Sequence, residues 1–458
     1  MFATAFLYIS LFILFGFAWL QSKRDVMSPS VLLCVSFVLG TTLYLLGSKR
    51  TTIDELTFPT VMLILSSILL FIVVEGITRF FIKGTHHYSD KQTYSAFQVP
   101  ENFKLELKNS YLVILIILML ITAFIQVAVI RDYSGSGSLA SMMSVYRTDS
   151  LMADAPKNVF VDIFSRVVYG ITPLFLFSLF YKKYVCNEKF KNIVLLAICA
   201  ILYVVSIFLI SGARGRVFSF LFQAIASIIL CMKFGNKRIG RERTYKGGRN
   251  WLKTVVLVAI IGVPLFYYGG VFAGKDYTQV TPFQSVSNYF SYGLIRLNLI
   301  VKEGFTASEN FGQWSFPGIY SLLEKFGMEY KNYDIFPFYG MFGNTVTIFG
   351  RWYVDFGVIG VYVMTAVVSL LYSTIFYKLK FSKSSRIAFM YSLIYIFLIG
   401  NILMASYDDW VRNLTAINTI VQIVVLIISG RYVYGKVTAR KARLNNEGVA
   451  TVNRQLNI

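Results

Sequence analysis

Long apolar blocks separated by short polar breaks run through the chain, and they set the expected fold. Runs of about 18–23 apolar residues match the hydrocarbon thickness of a bilayer. They predict helices near 3–21, 29–47, 58–79, 109–130, 158–181, 192–211, 217–233, 254–274, 351–377, 387–405 and 413–433. The expectation is an all-α, polytopic membrane protein with about eleven transmembrane helices in one membrane domain over residues 1–458. The widest break, 275–350, falls between the eighth and ninth helices. It is dense in aromatics, as in "FGQWSFPGIYSLLEKFGMEYKNYDIFPFYGMFG", and is neither low-complexity nor strongly charged. A large folded outer loop with short interfacial helices is therefore expected there. Its aromatic rings suit either an interfacial belt or platforms on which sugar rings stack their CH faces.

Composition agrees with the pattern. The 458 residues are 56% hydrophobic and only 15% charged, where soluble domains carry about 25%. The formal net charge of +21 could serve nucleic acid, so its distribution decides. Alternate connections fall into two sets. The first (22–28, 79–108, 182–191, 233–253, 378–386 and the tail from Arg431) holds 29 Lys and Arg. The second (48–57, 131–157, 212–216, 275–351 and 406–416) holds 14, although it contains the longest loop.

This bias assigns the first set to the cytoplasm, with the N-terminus outside and the basic 434–458 tail inside. The positive charge is a topology signal with attraction to anionic lipid headgroups as a by-product, and no nucleic-acid partner is expected. The opening "MFATAFLYISLFILFGFAWLQSKRD" has no basic residue before its apolar run, unlike a cleavable signal peptide. The four cysteines form neither a disulfide framework nor a zinc pattern, and His86 and His87 lie in an inner connection. No metal or cofactor is expected.

The candidate chemistry lies in polar patches on the outer side. "SGARGR" (211–216) joins the sixth and seventh helices, where glycines permit a tight turn. Arg214 and Arg216 then stand at a helix start that favours anions, and guanidinium forks suit phosphate oxygens. Two snorkelling arginines on a short turn fit the same residues. Asp162 and Arg166 are four apart near the start of the fifth helix, as an ion pair or as groups facing a cavity. In "YGMFGNTVTIFGRWYVDFGVIGVYV", Asn344 precedes Arg351, Tyr353 and Asp355, with Gly357 and Gly360 behind them for close packing. Arg351 and Asp355 also fit a simple i,i+4 pair. In "SYDDWVRN" (406–413), Asp408 beside Asp409 raises one carboxyl, as a general base requires; a helix N-cap is the plainer reading. Arg296 is a further cation of the long loop. Glu75 and Arg79, near the inner end of the third helix, read as a local pair.

The eleven-helix plan, the "SGARGR" turn and "NTVTIFGRWYVDFGVIG" together resemble the bacterial oligosaccharide repeat-unit polymerases, the O-antigen or Wzy-type family. The resemblance implies a GT-C-like membrane glycosyltransferase that needs no metal. Such an enzyme moves a growing glycan from undecaprenyl pyrophosphate onto an incoming lipid-linked repeat unit, outside the bacterial cytoplasmic membrane, to build O-antigen or capsule. Arg214 and possibly Arg216 would hold the pyrophosphate, with Arg351 assisting, and Tyr353, Asn344, Arg166 and Arg296 would complete the glycan and pyrophosphate contacts. The resemblance does not fix the base, for which Asp355, Asp408 and Asp409 are the candidates. Membrane lipids, a chain-length regulator and a flippase are the implied partners. The related O-antigen ligases use an outer histidine, which is lacking here. A flippase or other transporter, the alternative from another class, would show midplane charge, internal symmetry and short outer loops.

Overall fold

A computed structural model describes residues 2–47, 55–84, 109–151, 158–186, 188–189, 193–211, 214–238, 264, 267–268, 270, 281–304, 311–328, 345–382 and 384–434. The predicted eighth helix (254–274) lies almost entirely outside the described residues, as does the tail from 435. The rest is helical, with no strand among the described residues. In chain order the helices are α1 (Phe2–Gln21), α2 (Pro29–Gly47), α3 (Phe58–Gly84), α4 (Asn109–Ser134), α5 (Leu139–Leu151), α6 (Val159–Tyr184), α7 (Val194–Ser211), α8 (Arg214–Arg238), α9 (Pro282–Glu303), α10 (Pro317–Lys325), α11 (Ile348–Phe381), α12 (Ser385–Leu403) and α13 (Ile417–Tyr434).

Nine stretches of these helices are long and apolar enough to cross a membrane, and α7 is apolar through Val205. All ten coincide with predicted spans. The architecture is that of a polytopic, membrane-embedded helical protein. Burial separates its centre from its lipid-facing rim. The apolar windows of α2, α6 and α12 are each 56% buried, whereas those of α1, α4 and α13 are only 22%, 28% and 17% buried. Helices that leave apolar faces uncovered suit a hydrocarbon solvent. α11 packs along α3, α4 along α7, α6 along α8, and α9 along α2.

The long 275–350 break contributes more than surface helices. α9 is a 22-residue helix started by a Thr281–Gln284 capping box. Its inner face is buried: Ser287 Oγ donates to Leu43 O at 2.7 Å, and Asn298 Oδ1 accepts from Thr57 N at 2.8 Å. Two of the break's aromatics belong to the interior. Tyr289 stacks on Tyr407 with ring centroids 4.2 Å apart, and Phe290 packs edge-on against Phe218.

The connections gather at two ends of the bundle. At one, the carboxylate of Asp25 (1–2 connection) accepts from Lys233 of α8 and Lys380 of α11. Burial alone would raise the Asp25 carboxyl, but the two ammonium groups overturn this and hold it well below the usual carboxylate range. Glu75 does not pair with Arg79, contrary to the sequence expectation. It is buried, accepting from Ser28 Oγ, Ser30 N and Tyr377 Oη, while Arg79 donates to Gln21 O. A carboxylate so deep needs several donors, and a neighbouring connection and two helices supply them. The other end, called here the Trp410 end, is built around the 404–416 segment.

A bend in α11 shapes that end. Gly357 has φ 66° and ψ −164° inside the helix, a backbone region open essentially to glycine. The bend turns Phe356 toward Phe311, ring centroids 4.7 Å apart, and Gly360 leaves space for the Phe356 Cβ. Gly357→Ala is expected to cost about 1–3 kcal/mol of strain, read as a lower thermal midpoint in detergent.

Candidate functional site

Two polar stripes on otherwise apolar helices meet near the Trp410 end. Asp162, Ser165, Arg166 and Tyr169 recur at three- and four-residue spacing on α6, and Arg216, Ser219 and Gln223 do so on α8. Such spacing places each set on one helix face. Together they line a cavity of about 420 Å³, completed by Phe397 and Asn401 of α12, Trp410 and Asn413 of the turn, and Asn418 and Gln422 of α13. Arg166 is ion-paired with Asp162. The Arg216 guanidinium lies over the Tyr169 ring, 4.5 Å from its centroid, a cation–π contact.

The Trp410 indole packs closely against Gly215, and Gly400 lies at ordinary contact distance from it. A Cβ on Gly215 would stand 3.0 Å from Trp410 Cζ2, and one on Gly400 3.5 Å from Cζ3. α8 begins at Arg214, so Arg216 stands in the first turn of the helix, the helix start at which the sequence pattern put it. The side chain of Arg214 and the whole of Asn344 lie outside the described residues.

The turn that carries Trp410 also holds a charged cluster. Arg351, near the start of α11, approaches Asp408 at 3.5 Å (Nη2 to Oδ1). Asp409 is fully buried. Its Oδ1 accepts from Arg412 N at 3.2 Å, and its Oδ2 has no hydrogen-bond partner among the described residues. Burial pushes the Asp409 carboxyl up; Arg351 and Arg412 pull it down and Asp408 pushes it further up, leaving it at about 7. The carboxyl raised at this pair is therefore that of Asp409. Asp408 keeps 14% of its side chain exposed, which leaves it the more reachable of the two.

The other predicted residues occupy different positions. Asp355 is 3% exposed, and both its oxygens accept backbone amides, from Trp314 at 3.3 Å and Ser315 at 2.6 Å. It fastens the 311–315 segment to α11. Arg296 is fully buried and donates to Thr345 O at 2.7 Å, joining α9 to the residues that lead into α11. Tyr353 is buried beside them in sequence and lines no part of the cavity. Backbone bonds complete the frame: Ile348 N donates to Ala405 O at 2.8 Å, and Gly293 lies flat against the carbonyls of Ser406 and Tyr407.

Sequence reasoning did not single out Tyr169, Ser219, Gln223 or Trp410. The signal for the first three was available as a polar stripe at helical spacing; Trp410 lacked one, because its place depends on close packing against Gly215, far away in the chain. Among the described residues no three His, Cys, Asp or Glu side chains gather as a metal-ligand set.

The arrangement offers a pocket with two guanidinium groups, several carboxamides and an indole, on a turn that also carries a carboxylate pair. Guanidinium groups bind phosphate oxygens, carboxamides bind hydroxyls, and indoles take apolar ring faces. No family model, curated protein or solved structure matches this chain.

Proposed function

We propose that this protein is a membrane glycosyltransferase that polymerises lipid-pyrophosphate-linked oligosaccharide repeat units on the outer face of the bacterial cytoplasmic membrane, the Trp410 end facing outward. The observation that carries the reading is the meeting of Arg166 and Arg216, from two different helices, in one carboxamide-lined cavity walled by Trp410. The resemblance of "SGARGR" and "NTVTIFGRWYVDFGVIG" to the repeat-unit polymerases supports the same reading from the sequence.

In the proposed reaction Arg216 and Arg166 hold the donor's pyrophosphate. A hydroxyl of the acceptor glycan attacks C1 of the donor sugar, and the C1–O bond to the pyrophosphate breaks. The bonding electrons leave with the lipid pyrophosphate, whose growing charge the guanidinium groups stabilise. The hydroxyl proton passes to Asp408. This carboxylate is chosen over Asp355, whose two oxygens already accept amides, and over Asp409, which is sealed.

A transporter of the same lipid-linked units is the competing reading. The fixed ion clusters at the two ends favour a static framework over one that rocks, since Asp25 ties α8 to α11 at one end and Arg351 meets Asp408 at the other. Deleting the gene is expected to remove long-chain surface polysaccharide while single-repeat material persists on a gel. Loss of both would count against a polymerase.

A further inference from the structure

The charged groups of the cavity belong to the first two turns of its walls, with Asp162 and Arg166 on α6 and Arg216 on α8. Seven residues further along α8, about 10 Å at the helical rise, the lining is neutral. Gln223 stands there on the cavity wall and is 5% exposed. Its Nε2 donates to Ser219 Oγ at 3.4 Å, and its Oε1 has no hydrogen-bond partner among the described residues. A buried acceptor left unmatched costs about 1–3 kcal/mol, and each such group in a folded protein calls for a reason. Here a reason is close by, because Gln223 lines a space large enough for a sugar.

We infer that Gln223 determines specificity for the first sugar of the bound glycosyl pyrophosphate, accepting a hydrogen bond from that sugar while Arg216 holds the anion. The inference rests on the reading of this cavity as the lipid-pyrophosphate site. The amide oxygen accepts from a sugar hydroxyl or from an acylamino N–H. A sugar presenting neither at this position leaves the oxygen unmatched, which is how a buried polar group rejects the wrong ligand. Trp410, on the same lining, supplies an aromatic face for the ring.

The test uses the full chain in lipid nanodiscs and three probes: farnesyl diphosphate, farnesyl diphospho-glucose and farnesyl diphospho-N-acetylglucosamine, with affinities taken by calorimetry. Gln223→Leu is expected to weaken a sugar-bearing probe about 3- to 10-fold, the loss of one neutral hydrogen bond, and to leave farnesyl diphosphate unchanged. The unchanged value doubles as a check on folding. An equal fall for both sugar probes makes the donor a hydroxyl, whereas a fall confined to the N-acetyl probe makes it the acylamino N–H. Gln223→Asn, which keeps the amide but draws it back, should give the same selective loss. Unchanged sugar affinities, or uniform weakening of all three probes in both variants, would overturn the role of Gln223. Binding of no probe by the unaltered protein would instead overturn the lipid-pyrophosphate reading of the cavity, and the inference with it.

Discussion

Arg216→Ala is expected to stop polymer formation, leaving single repeat units where the unaltered protein makes a ladder of chain lengths. The departing pyrophosphate carries the largest charge change of the proposed reaction. Removing one preorganised donor from such a site costs a factor of about 10²–10³ in rate. The protein should survive the change, because the described contact of Arg216 is with the Tyr169 ring, worth about 0.5–2 kcal/mol. Arg166→Ala is expected to do less harm, since Asp162 already neutralises part of its charge. Wild-type chain-length ladders from Arg216→Ala would remove the pyrophosphate role from this cavity.

The second large effect concerns the carboxylate pair. Asp408→Asn is expected to lower the rate by about 10²–10⁴, the usual contribution of a general base. Asp409→Asn should keep measurable activity and change the pH profile instead. With its carboxyl at about 7, Asp409 is protonated below neutrality and ionised above it. Ionisation places a second negative charge beside the point where the acceptor's proton is taken up, so the rate should climb as pH rises through about 7. The groups that act on Asp409 are Arg351 from α11 and Arg412 and Asp408 from its own turn. Asparagine at 409 removes the step and leaves a flat profile near the low-pH rate. A retained step in Asp409→Asn would assign the titration to another group, and a full rate in Asp408→Asn would dismiss the base.

The spans were legible because lipid imposes a length and a composition that no other environment demands. Ten of the eleven predicted helices stand where the apolar blocks placed them, and the eleventh lies outside the described residues. Side-chain pairing was legible only where both partners share one helix turn, as Asp162 and Arg166 do. It failed for Glu75, whose donors Ser28, Ser30 and Tyr377 come from the 1–2 connection, α2 and α11 and not from its own helix.

The "YVDFG" motif shows the same limit. Its acid-then-glycine pattern is equally compatible with chemistry and with shape. The positive φ of Gly357 and the two amides on Asp355 explain the local arrangement as an anchored bend. Arg351 meets Asp408 across more than fifty residues of sequence, a contact that follows from tertiary packing alone.

The most direct measurement is reconstitution of the purified protein with synthetic lipid-pyrophosphate-linked repeat units. The account predicts glycan chains of increasing length and one lipid pyrophosphate released for each unit joined, both lost in Arg216→Ala. Repeat units that stay single but cross the vesicle bilayer would contradict it and make the protein a transporter.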